Sequence, residues 1–127
     1  MDQEERFYKN LAYFHDGTIF FLNHKKNELH VAMESADLED GSRIIGILHV
    51  YDIQKIKQFK HDYFSKIKIQ YDSAEILDFE IKNNTIFLGI SLLDYGSDRF
   101  APDYVSYTIE AKKIQWEEIP GISSLFE

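Results

Sequence analysis

The run Leu77-Asp78-Phe79-Glu80-Ile81-Lys82-Asn83-Asn84-Thr85-Ile86-Phe87-Leu88-Gly89-Ile90 constrains this chain more than any other. A two-residue turn at Asn83-Asn84 pairs Ile81 with Ile86, Phe79 with Leu88 and Leu77 with Ile90. Every pair on that face is apolar, while Asp78 and Glu80 fall on the opposite face. One packed face and one wet face are the pattern of an antiparallel sheet. Asn tolerates the positive φ that the primed turns of short hairpins demand.

Other segments repeat the alternation. Thr18 to His24 reads as a strand with large residues on both faces, and Lys25-Lys26-Asn27 turns the chain. Leu29, Val31 and Met33 then alternate with His30, Ala32 and Glu34. Arg43 to Ile53 is a long β-rich run in which Gly46 marks a bulge or a close backbone contact. Residues 54–64 are ambiguous, because Ile53, Ile56, Phe59 and Tyr63 have helical spacing. Ile67, Ile69 and Tyr71 share one side of a further alternating segment, and Tyr104 to Trp116 forms the last strand. In Tyr13-Phe14-His15-Asp16-Gly17 the Asp-Gly pair makes a turn, with Gly17 supplying positive φ. Phe7, Tyr8 and Leu11 in a short lead-in are available to cover a sheet edge.

The expected fold is therefore all-β or β-dominated α+β, an antiparallel barrel or two-layer sandwich of six to eight strands with one short helix. With 127 residues and 44% apolar content, residues 1–127 form a single domain with its own core, and 117–127 make a less regular tail.

The net charge of −8 repels phosphate backbones and anionic lipid heads, which disfavours generic nucleic-acid and membrane-surface binding but suits a basic protein partner. The chain has no Cys, so disulfides and thiolate metal sites are excluded. The acidic start Met1-Asp2-Gln3-Glu4-Glu5 lacks signal-peptide blocks, and no apolar run is long enough for a membrane-spanning helix; the expected location is the cytoplasm.

No catalytic constellation emerges, and no cofactor is expected. His15-Asp16 and His61-Asp62 lie in β-rich surroundings, where adjacent side chains point to opposite faces. His24 and His30 flank the first turn, but if Leu22 pairs with Val31 or if Phe21 does, the imidazoles are not opposed, so no metal site is expected there. His49 shares a face with Ile47 and Tyr51, and catalysis by it requires a neighbouring carboxylate and a nucleophile that the sequence does not identify. Asp78 and Glu80 share a face, as solvated acids on a half-wet sheet do. No Gly-rich phosphate or dinucleotide motif is present.

Binding residues stand out better. The segment 94–104 mixes Tyr95, Phe100 and Tyr104 with Asp98, Arg99 and Asp103, and the loop after Met33 carries Asp37, Glu39 and Asp40. Acids steer a basic partner while aromatic residues and Arg anchor it.

His15-Asp16-Gly17, Met33-Glu34-Ser35-Ala36, residues 71–79 and Ile114-Gln115-Trp116-Glu117-Glu118-Ile119-Pro120 together look like those of small bacterial β-rich proteins with an N-terminal His-Asp-Gly turn. These resemble immunity proteins of polymorphic toxin systems. That resemblance implies an immunity-type interaction module and assigns no catalytic residue; with the net charge of −8, the expected function is a cytosolic inhibitor of a basic toxin. The alternative is a small-molecule or lipid binder using an aromatic-lined barrel interior.

Overall fold

In a computed structural model, residues 2–69, 74–91 and 104–119 are described. Helix α1 (Gln3–Lys9) is followed by a 3-10 turn (Leu11–Phe14) and the strands β1 (Thr18–Lys25), β2 (Glu28–Glu34), β3 (Ile45–Gln58), β4 (His61–Asp62), β5 (Ala74–Lys82), β6 (Thr85–Ser91) and β7 (Tyr104–Glu118). The seven strands make one antiparallel sheet in the order β2-β1-β5-β6-β7-β3-β4, and β2 also pairs with β3. That second pairing brings the sheet round into a partial ring. Among the described residues the join between β1 and β5 consists of Thr18 with Glu75 and Ile19 with Ala74.

The hairpin β5–β6 turns at Asn83 and Asn84 with φ of 52° and 58°, and it pairs Ile81 with Ile86 and Phe79 with Leu88 as its alternation demands. Phe79 and Leu88 are both buried. The third pair differs. Ile76, not Leu77, lies opposite Ile90, because the register shifts between Ile76 and Asp78 and Leu77 becomes a bulge. The bulge has a local cause. Ile76 donates its N–H to the Gly17 carbonyl and accepts from the Asp16 N–H, which ties β5 to the turn that opens β1. A bulge re-aims a strand in this way. In that turn it is Asp16, at φ 68°, that takes the left-handed conformation, and not Gly17.

Two other segments depart from their periodicity. The helical spacing around Ile56 is overridden: β3 runs on to Gln58 along β7, bent at Asp52 (φ 53°) and bulged between Ile53 and Lys55, and a tight turn leads into β4. Residues 65–69 carry no strand; instead Ile67 is buried and its N–H donates to His24 Nδ1 at 2.8 Å. At the other end β7 continues through Glu118, two residues into the stretch expected to be irregular.

Inward-facing residues from all sides fill the interior: Ile19, Val31, Met33, Leu48, Val50, Ile76, Ile86, Ile90 and Ile109 among them. One end is stoppered by aromatic rings. α1 starts where Asp2 caps the Glu5 N–H, and acids in its first turn and bases in its last suit the helix dipole. The helix delivers Phe7 into the core rather than onto a sheet edge. Its ring stacks on Trp116 at 4.2 Å and meets Phe14 edge-on at 5.5 Å.

Ser35 locks the loop that follows β2. Its buried hydroxyl accepts from the Ile44 N–H at 2.9 Å and donates to the Ala36 carbonyl at 2.8 Å. Ser35→Ala leaves the Ile44 carbonyl contact intact but strips the acceptor from a buried amide, so stability should drop by about 1–3 kcal/mol. Urea melts would show it, and Ser35→Thr, which keeps the hydroxyl, should recover part of the loss.

Candidate functional site

The acidic loop and α1 come together at the stoppered end. The Ala36 N–H donates to the Tyr13 carbonyl at 2.8 Å, and Arg6 reaches from α1 to Glu118 at 3.0 Å and Ser42 at 3.4 Å. Between them lies a cleft of about 290 Å³ lined by Asn10, Tyr13, Leu38, Glu39 and Asp40.

The expected binding acids have different local situations. Asp37 is exposed but engaged: Arg43 Nε donates to it at 2.6 Å while Nη1 donates to the buried Glu34 at 2.7 Å. Hydrogen bonding to both carboxylates raises the Arg43 pKa further. Asp40 accepts from the Ser42 hydroxyl at 2.6 Å and the Ser42 N–H at 2.9 Å, and these two bonds lower its pKa. Glu39 is exposed at the cleft wall. With Asp2, Glu4 and Glu5 of α1 nearby in sequence to Arg6, this end carries an excess of carboxylates, since Arg6 and Arg43 are both held in ion pairs.

Of the aromatic segment, Tyr95, Asp98, Arg99, Phe100 and Asp103 lie outside the described residues. Tyr104 opens β7 opposite Ser91. Its ring lies over Gly89, where a Cβ would meet it at 2.8 Å, and it faces Phe59 edge-on at 6.0 Å. Tyr104 is half-buried by these contacts.

Cations gather elsewhere. A cleft of about 400 Å³ is bordered by His24, Lys26, Lys55 and the exposed Phe64, and a second of about 710 Å³ by Lys25, Lys26, Glu28 and Lys66; Lys26 and Asn27 border both. Burial lowers the pKa of His24, which accepts from Ile67 and ties residues 65–69 to the end of β1.

A polar row crosses the outside of the sheet. The first turn adopts the register with Leu22 opposite Val31, so His24 faces Leu29 and does not meet His30. The partner of His30 is His49, directly opposite on β3, with Nδ1 to Nδ1 2.7 Å. His30 Nε2 lies 3.2 Å from Glu28 and His49 Nε2 lies 2.9 Å from Glu117. His49 thus has the carboxylate neighbour that local sequence does not reveal. Asn23 and Gln115 stand opposite the two histidines on the outer strands, and Tyr51 packs against both rings.

Comparison with protein-family models, curated proteins and solved structures finds no match to this chain.

Proposed function

We propose that the chain is a protein-interaction module that docks a basic partner on its acidic end, in the manner of an immunity-type inhibitor of a basic toxin. The observation that carries this reading is the meeting of the 3-10 turn after α1 and the 35–44 loop around the cleft of Tyr13, Leu38 and Glu39. An apolar floor with a carboxylate at its wall accommodates a Lys or Arg side chain, whose methylene stem lies on the floor while its charge meets the acid. A ring interior occupied by side chains from both hairpins and plugged by Phe7 and Phe14 also supports an outside surface as the place of binding. The net charge of −8 favours encounter with a basic partner at long range.

Glu5 and Glu39 are exposed, and among the described residues their side chains make no hydrogen bond or ion pair, so their reversal removes no tertiary contact. Capture from source cells on immobilised protein, followed by kinetics with the captured partner, tests the reading. The partner should be basic, and Glu5→Lys with Glu39→Lys should slow association by roughly tenfold or more at low salt. Wild-type association should itself slow as salt shortens the screening length from about 30 Å at 0.01 M to about 8 Å at 0.15 M. Capture of no basic protein, or association indifferent to both salt and charge reversal, rejects the proposal.

A further inference from the structure

His30 and His49 place three contacts in one line, and proton counting makes that line informative. Glu28 and Glu117 as carboxylates only accept, so His30 Nε2 and His49 Nε2 each donate a proton to them. A neutral imidazole has one proton. With both rings neutral, both Nδ1 atoms present lone pairs to each other at 2.7 Å. Two lone pairs at that distance repel unless a cation lies between them.

We propose that His30 and His49 form an open two-nitrogen chelate for a divalent transition metal. Metal-binding imidazoles characteristically donate their second ring N–H to a carboxylate, which fixes the tautomer and raises ligand basicity. Here that arrangement occurs twice, on neighbouring strands, with both free nitrogens converging. Two imidazoles select copper, nickel or zinc over calcium or magnesium, and Cu²⁺ is held most tightly of the three. Glu28 and Glu117 add two negative charges beside the cation.

The observed spacing is close to what a bound ion requires. With metal–nitrogen bonds of about 2.0–2.1 Å, the ligand nitrogens stand about 3.3 Å apart at the tetrahedral angle of zinc and about 2.9 Å apart at the right angle of a tetragonal copper site. From the observed 2.7 Å the rings must part by about 0.6 Å to admit zinc and by about 0.2 Å to admit copper. Their side chains are 23% and 21% exposed on the outer face, so this movement disturbs no core packing. Among the described residues no three His, Asp or Glu side chains converge on one point, so the remaining coordination positions belong to water. An open site of this kind differs from a closed structural zinc site with four protein ligands.

The test is titration of the full chain with CuCl₂ or ZnCl₂ in a non-coordinating buffer, followed by calorimetry and by the electron paramagnetic resonance spectrum of bound Cu²⁺. One ion per chain should bind, with two nitrogen couplings in the copper spectrum. His30→Gln or His49→Gln should weaken binding at least tenfold and remove one nitrogen. Glu117→Gln keeps both ligands and should weaken binding by about tenfold, in the range for loss of a carboxylate behind a ligating histidine. Each variant should melt as a folded domain, so weakened binding is separable from unfolding. Absence of binding to the wild type overturns the proposal. So does binding of equal strength in the His30→Gln/His49→Gln double variant, which would place the ion elsewhere.

Discussion

Phe7→Ala should destabilise the protein by about 3–5 kcal/mol, the range for removing a buried phenyl ring from a core. The ring is fully buried, stacked on Trp116 at 4.2 Å with planes 7° apart, and it also touches Phe14 and Phe79. Alanine is the better helix former, so loss of helix propensity cannot account for a drop. The cost comes from the apolar area returned to water plus the cavity left among rings held by three separate elements. Domains of this kind are stable by only about 5–15 kcal/mol, so the melting temperature should fall on the order of 15 °C. Trp116 is the only Trp, and its emission should shift to the red as solvent reaches the vacated space. Tyr8→Ala is the control: its ring is 40% exposed on the neighbouring position of the same helix. If the two variants melt within a few degrees of each other, Phe7 is not the stopper of the ring.

The same aromatic cluster shows where local sequence stops being informative. Asn83-Asn84 and the alternation on either side define a hairpin because turn and register are settled within a few residues. The bulge at Leu77 was not legible, since its cause is a pair of backbone bonds to Asp16 and Gly17, sixty residues earlier in the chain. Helical spacing around Ile56 lost to pairing with β7, a partner that only the folded sheet supplies. Binding residues follow the same division. The acidity of the 35–44 loop is visible in sequence, but the neutralisation of Asp37 depends on Arg43 folding back across the loop. His30 invited comparison with His24 because a turn joins their strands, whereas its true partner is His49 through the β2–β3 pairing. The available signal was parity: His30 and His49 each occupy the outward position of an alternating strand. Register between those strands was the missing quantity.

Gly46→Ala should be the most damaging single methyl addition on the sheet, because the strand on the far side is backbone. Gly46 pairs with Glu118 on β7, and a Cβ there would fall on the Glu117 carbonyl oxygen, with Trp116 Cζ2 at 2.6 Å and the Glu118 Cα at 2.9 Å. No rotamer change relieves a clash with a carbonyl. β3 and β7 must separate, and the separation pushes on the indole that Phe7 stacks against. Added methylenes in packed sites cost about 1–3 kcal/mol, and a backbone obstacle places this one at the upper end or beyond. The backbone conformation is not the reason for glycine here, since its φ is not in the left-handed region. Gly41 provides the contrast: it has φ of 83° and open space around the missing Cβ. Gly41→Ala should therefore pay only backbone strain, on the order of 1 kcal/mol, and leave Trp116 emission unchanged. Denaturant midpoints and fluorescence of the two variants separate the mechanisms. A Gly46→Ala protein as stable as wild type, with unaltered Trp116 emission, would mean that the β3–β7 pair yields at this point and that the aromatic stopper does not depend on its close approach.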